Sequence, residues 1–423
     1  MISIHEAIDT VIGAARPLPA EEVPLLEALG RATATAIVSP EAVPSFDNSA
    51  MDGYALRGAE LEGGRREFRV VVDIPAGRWV GEEIGAAEAA KIMTGAPLPP
   101  GADTVVQVEY TEQHGETLVV TEPVQTGANV RRAAEDVAVG DVLFPRGARL
   151  GPAEIGLLAS VSCERVAVAR RPRVAILATG SELRPSGQPL GLGQIRNSNS
   201  FTAYGQVLAA GGEPVLLGIA RDDLDETRRL LADALEHDVV ITSGGVSVGE
   251  FDFVKQVQDE LGVERRFWGV ATKPGKPLAF GMRGDTLVFG VPGNPVAAMV
   301  SFEMYVRPAL LALQGRQDLY RPYVFASAEE PVRGSRGRTE ARRCRLLHRG
   351  RGWGFTITGP QGSGILRSMA LADGLAFVPP EYPGAAPGAE LLVMMLEGSA
   401  AERPPFPGGP AAPAAENAPT VEP

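Results

Sequence analysis

Two lysines, Lys273 and Lys276, are each followed by proline in the stretch KPGKP at 273–277. Proline fixes its own φ and restricts the residue before it, so both ammonium groups stand on stiff backbone, with Gly275 allowing a turn between them. Amines that cannot move apart repel each other, and an anion placed between them relieves that repulsion. The plainer reading is a solvated turn with two surface lysines; Pro274 and Pro277 weigh against it.

A second unusual stretch is TSGGVSVGEFD at 242–252, which follows the apolar run DVVI and precedes FVKQVQDELG. It lacks the lysine that closes a P-loop, so nucleotide hydrolysis finds little support. Successive backbone N–H groups in a glycine-rich turn, continued by a helix N-terminus, form a concave donor set suited to phosphate. Here Ser243 and Ser247 add hydroxyls to the turn built on Gly244 and Gly245. The alternative is a tight strand-to-helix connection with no ligand. Three more turns carry polar groups: TGSE at 179–182, RDD at 221–223 and PGNP at 292–295 (Pro292, Gly293, Asn294, Pro295). Glu182, Asp222 and Asp252 thus stand near strand tips, where close carboxylates would repel a phosphate unless a cation lay between them. Mg²⁺ takes carboxylate oxygens and keeps water and phosphate as its other ligands. Taken singly, Asp222, Asp223 or Asp252 could equally cap or stabilise a helix start.

Three stretches in the N-terminal half are polar and glycine-containing: SFDNSAMDGYA at 45–55, IMTGAPLPPGAD at 92–103 and NVRRAAEDV at 129–137. They carry Asp52, Thr94, Arg131, Arg132 and Asp136. The arginines could clamp an anion or pair with Glu135 and Asp136 on the surface.

These residues need elements to position them. From Arg171 to about Gly315 strand and helix signals alternate: PRVAILATG, NSFTAYGQVLAAGG, EPVLLGIARDD, LDETRRLLADALEH, DVVITSGG, then KPLAFG, TLVFGVPG and a long apolar helix. Such alternation predicts a parallel sheet covered by helices on both faces, with ligands at the carboxyl ends of its strands. The flanks read as β-rich. The expected class is multidomain α/β, divided as 1–40 with 141–171 (discontinuous, helical), 41–140 (β-rich), 172–318 (α/β), 319–398 (C-terminal β) and a disordered tail at 399–423, where proline is frequent and core-forming residues are scarce.

Composition limits the function. Forty Lys+Arg against 52 Asp+Glu leave a net charge of −12, which argues against general nucleic-acid binding. Cys163 and Cys344 are the two cysteines and the four histidines are scattered, so neither a cysteine zinc cluster nor a disulfide framework is expected. Glu6 and Asp9 lie where a signal peptide would be basic then apolar, and no later apolar run is expected to reach spanning length, so the cytoplasm is the expected location, with no membrane partner.

Seven of these stretches occur in one order: SFDNSAMDGYA, IMTGAP, RR-x-x-ED, TGSEL, SGGVSVGEFD, KPGKP and GVPGNPV. Together they resemble the MoeA family of molybdopterin molybdenumtransferases over nearly the whole chain before the tail. The resemblance implies an elongated four-domain homodimer that converts adenylylated molybdopterin and molybdate to molybdenum cofactor, with release of AMP and with Mg²⁺. It also implies as partners the pathway's adenylyltransferase and apo-molybdoenzymes. By that resemblance Asp52, Asp136, Asp252, Lys273 and Lys276 carry the chemistry, the lysines facing molybdate. Thr94, Arg131, the SGGVSVG turn and PGNP bind substrate, Arg343 and Ser368 join the lysines from the C-terminal domain, and Glu182, Asp222 or Asp252 hold Mg²⁺. The sequence departs from the family pattern at Ala133 and Ala134 (often Arg-Gly), Gly269 (often basic) and Ala297 (commonly Ser), leaving fewer charges and hydroxyls for an oxyanion. Competing readings are an adenylyltransferase or nucleotide pyrophosphatase on the same α/β domain, and a non-catalytic gephyrin-like scaffold.

Overall fold

A computed structural model describes residues 1–244, 253–349 and 352–397; the expected tail lies outside them. Glu213–Ala220, Arg173–Thr179, Val239–Ser243 and Thr286–Val291 lie side by side and parallel, in that order. Along each inner strand the side chains alternate between two cores, because successive residues face opposite sides. Val174, Ile176, Val239 and Ile241 meet Val207, Val296 and Val300 on one face, while Leu177 meets Leu230, Leu231, Val254 and Val257 on the other. Helix Leu224–Ala234 buries Leu230, Leu231 and Ala234, the stripe its spacing predicts.

The four strands are parallel as expected, and two further strands make one edge of the sheet antiparallel. Ala279–Arg283 runs antiparallel to Thr286–Val291, and Glu264–Trp268 antiparallel to Ala279–Arg283. Gly284 and Asp285 alone join Arg283 to Thr286, and so short a link can only reverse the chain.

Helix Ile4–Ala14 opens with a Ser3 and Glu6 capping box and buries Ile4, Ala7, Ile8 and Val11. Those residues belong to the α/β core, packed with Tyr305, Ala309 and Leu313, and not to a unit with 141–171. The segment that does pair with the later chain begins at Ala20–Pro24, antiparallel to Arg165–Ala169, and continues at Ile37–Val38 against Val142–Phe144.

The helical stretch Pro295–Leu313 is 19 residues long and apolar, which corrects the expectation that no run reaches spanning length; it is mostly buried inside the protein, as in a core helix. It widens into a π turn at Phe302–Val306. Pro308 lacks the N–H that would bond Met304, and its ring crowds that carbonyl, which accounts for the irregularity there.

Between these parts, Thr104–Gln107, Gly53–Leu56, Glu88–Ile92, Glu67–Ile74, Thr117–Val120 and Thr111–His114 form a six-stranded sheet. In the C-terminal unit Thr339–Arg349, Gly352–Ile357, Tyr323–Ala328, Glu390–Met395 and Gly374–Val378 follow in order, and the last pairs back to the first, closing a five-stranded barrel. Thr272–Lys273 adds to it as a sixth strand, parallel to Thr339–Glu340.

If the first helix belongs to the α/β core, Ile8→Ala should lower unfolding free energy by about 2–5 kcal/mol. Urea denaturation measures this, and an unchanged midpoint would place the helix elsewhere.

Candidate functional site

The serine–glycine and proline–glycine turns are neighbours at the carboxyl end of the sheet. Val239–Ser243 and Thr286–Val291 are adjacent strands ending at Ser243 and Val291, and the Gly244 N–H donates to the Val291 carbonyl at 3.3 Å. Asn199 Nδ2 donates both to Ser243 Oγ (2.7 Å) and to the Gly293 carbonyl (2.8 Å), stapling the two turns together. Glycine at 244 is a steric requirement. Its φ is +92°, and a Cβ would lie 2.6 Å from the Thr179 carbonyl oxygen. Gly245, Ser247 and Asp252 lie outside the described residues.

The acidic tips are next to these turns. Gly180 N–H donates to the Ala220 carbonyl, and the Asp222 N–H donates to Ser181 Oγ at 3.1 Å, so the 179–182 and 221–223 turns touch. Asp223 caps its helix, accepting from the Glu226 N–H, which leaves Asp222 free of that role. Among the described residues neither the Glu182 nor the Asp222 carboxylate accepts a hydrogen bond or ion pair, and no group of three His, Cys, Asp or Glu could hold a metal by itself. Two open carboxylates beside a phosphate-suited turn match the few protein ligands that Mg²⁺ takes.

The lysine loop reaches this region through a helix. Gly275, at φ +107°, packs so closely on Ser301 that a Cβ would sit 3.0 Å from its Oγ. Ser301 ends helix Pro295–Ser301, which has 7 residues and so rises roughly 10 Å from the PGNP turn. The two lysines differ. Lys273 Nζ donates to Glu340 Oε1 (2.8 Å) and Ser335 Oγ (3.2 Å), and Arg342 pairs with the other oxygen of Glu340. Lys276 is exposed and has no partner among the described residues. On the barrel a cleft of about 490 Å³ is lined by Arg333, Arg342, Gln361 and Glu330.

Arg343 and Ser368 do not present free donors to a ligand, a correction to the reading of them as the lysines' partners. Arg343 is 1% exposed. Its Nε donates to Ser368 Oγ and its other nitrogens to the carbonyls of Pro360, Gln361 and Gly362. Burial and the neighbouring Arg342 bring its pKa down to about 10. Together they shape the 360–365 loop, whose Ser363 carbonyl accepts from the Val296 N–H at the start of the helix behind PGNP. They act on the site by position.

The three N-terminal stretches converge on one another. Asn48–Ser49 pairs with Val130–Arg131, Gly95 N–H donates to the Ser49 carbonyl and Leu98 N–H to that of Asp47. Asp52 Oδ1 accepts from Thr94 N–H (2.7 Å) and Oγ1 (2.8 Å), and the backbone bond foremost holds its pKa below the usual carboxylate value. Arg132 pairs with Asp47, whereas Arg131 and the Asp136 carboxylate are exposed without a partner among the described residues. No hydrogen bond among the described residues ties this cluster to the turns of the α/β unit. Asn199, Glu340 and Gln361 were not singled out from the sequence. Asn199 opens a helix in the polar run NSNS, a usable signal, while nothing local marks Glu340, buried on a strand.

Comparison with known proteins covers the chain in three parts. Residues 2–162 match the MoeA N-terminal region (domain I and II), 175–312 a probable molybdopterin binding domain, and 326–396 the MoeA C-terminal region (domain IV). The chain is 38% identical over 412 residues to the molybdopterin molybdenumtransferase 2 of Mycobacterium tuberculosis, covering 94% of this chain and 100% of that one. It is 38% identical over 318 residues to the molybdopterin molybdenumtransferase of Bacillus subtilis, covering 73% and 74%. A crystal structure of the molybdopterin biosynthesis moea protein of Pyrococcus horikosii superposes with a TM-score of 0.80 at 32% identity, covering 94% of this chain and 100% of that one.

Asn199→Ala removes both staples and should cost about 1–2 kcal/mol in urea unfolding; no change would mean the turns are held otherwise. Ala134 adopts φ +61°, a conformation that favours glycine. Ala134→Gly should therefore stabilise the protein by about 1 kcal/mol in the same assay, and a loss would contradict the left-handed backbone.

Proposed function

The chain belongs to the MoeA family, and on that premise we propose that it transfers molybdenum from molybdate to molybdopterin, using an adenylylated pterin and releasing AMP. The observation that carries this reading is the common helix. Pro295–Ser301 starts at the turn stapled to Ser243 and ends against the lysine loop. A phosphate over the first and a tetrahedral dianion beside the second would lie roughly a helix length of 10 Å apart, within the reach of one extended substrate.

The reaction asks the protein for electrostatics and proximity more than for a nucleophile. The turn that begins at Ser243 and the PGNP turn stapled to it by Asn199 would cradle the phosphate, and the 360–365 loop held by Arg343 and Ser368 closes one side. Glu182 and Asp222, with Asp252 as a third candidate, would hold Mg²⁺; when bound, that ion supplies neutralisation of the phosphate oxygens as AMP leaves. Lys273 and Lys276 hold molybdate for the dithiolene sulfurs of the pterin. Asp52 and Asp136 are assigned to the chemistry, and Thr94 and Arg131 to substrate binding. Because their cluster has no hydrogen bond to the turns, a homodimer in which one copy's cluster approaches its partner's turns would unite them. A cytoplasmic location, with the pathway's adenylyltransferase supplying substrate and apo-molybdoenzymes receiving product, completes the reading.

The test mixes purified protein, adenylylated molybdopterin, Mg²⁺ and molybdate, then follows AMP together with activation of an apo-molybdoenzyme. Lys273→Met and Lys276→Met should each reduce molybdate-dependent activation about tenfold or more, the scale of losing one charge-assisted contact; the melting temperature stays unchanged in Lys276→Met and falls in Lys273→Met, which deprives buried Glu340 of one counter-charge. Wild-type turnover in both variants would refute the lysines' role.

A further inference from the structure

The two lysines of the loop are inequivalent. Lys276 is exposed and unpartnered among the described residues, whereas Lys273 is tethered. Its backbone is fixed in register on the barrel, Lys273 opposite Glu340. Its amine lies 2.8 Å from a carboxylate whose side chain is 2% exposed, while the lysine side chain itself remains 45% exposed. Glu340 is also bonded by Ser335 Oγ and by Arg342. The carboxylate is therefore immobile, and the amine sits where buried protein meets solvent. Of its three N–H donors, one points to Glu340 and one to Ser335, and the remaining donor is left for a ligand.

We propose that Glu340 is a resident counter-ion that competes with the incoming oxyanion for Lys273. This rests on the reading of the loop as the molybdate site and adds to it a residue that sets how tightly the anion is held. A dianion arriving between the lysines is attracted by both amines and repelled by Glu340 on the far side of one of them. The repulsion lowers affinity and favours passing the anion onward. The same carboxylate keeps the Lys273 amine at one position, so its removal should tighten binding while loosening aim. Glu340 is thus a positioning residue: it touches the lysine and not the substrate.

Removing the carboxylate bonded to an amine that holds a dianion in a half-exposed site corresponds to about a tenfold change in affinity. Equilibrium dialysis of molybdate, repeated with sulfate, would compare wild type, Glu340→Gln and Glu340→Asp. Expected are an approximately tenfold tighter hold on both anions by Glu340→Gln, wild-type behaviour in Glu340→Asp, and, in turnover, a lower KM for molybdate with a lower kcat in Glu340→Gln. Because Glu340→Gln leaves Arg342 without its partner, Arg342→Gln and the double Arg342→Gln/Glu340→Gln provide a second comparison in which the double variant binds more tightly than the single. Equal or weaker binding on removing Glu340, in either background, overturns the proposal. Absence of molybdate binding by the wild type overturns it along with the reading of the loop, whereas wild-type binding that Glu340→Gln leaves unchanged overturns the role of Glu340 alone.

Discussion

The backbone ladder between Thr272–Lys273 and Thr339–Glu340 joins two units that also share a core, in which Leu375, Phe377 and Met394 of the barrel pack with residues of the α/β unit. A flexible lysine could find many anions; a lysine held by strand pairing stands at one distance from one helix. The ladder also brings a buried carboxylate to the amine, so charge and position are set by a single register. A slip of one residue would turn every side chain of that short strand to its other face. The Thr339 N–H bonded to the Ala271 carbonyl and the Gly275 contact with Ser301 hold the loop from both ends.

Around this anchor the polar groups fall into two kinds. Some are fully engaged and shape backbone: Arg343 with the carbonyls of 360–362, Asn199 between two turns, Asp47 with Arg132 and the Ala133 N–H. Others are open among the described residues: Lys276, Glu182, Asp222, Arg131 and Asp136. A buried polar group without partners is costly, so engaged groups are expected inside. Open charges of both signs at strand ends and loop tips are what a substrate carrying phosphate and a metal oxyanion requires.

Much of this was legible in the sequence, for local reasons. Glycine pairs at strand ends, KPGKP and the apolar alternation from 171 to 315 are short-range signals, and they located the sheet, its carboxyl-end turns and the lysine loop. The long-range facts were not legible. Helix Ile4–Ala14 has an amphipathic pattern that does not say which core it faces. Arg343 is placed beside the lysines by the family resemblance alone, since nothing local marks it; only the fold shows its nitrogens turned to a loop. The antiparallel edge was recoverable from the two residues between Arg283 and Thr286, whose shortness was outweighed by the parallel pattern around it.

The family assignment explains why these features coexist, and the geometry explains what each one does. Its central claim is that a tetrahedral metal oxyanion rests between Lys273 and Lys276, on the side of the helix that begins at PGNP. Anomalous diffraction from crystals soaked in tungstate, used as a heavy analogue of molybdate, tests this most directly. The account predicts a peak within hydrogen-bonding distance of both amines. A peak elsewhere, with the lysine loop empty at saturating anion, would contradict it.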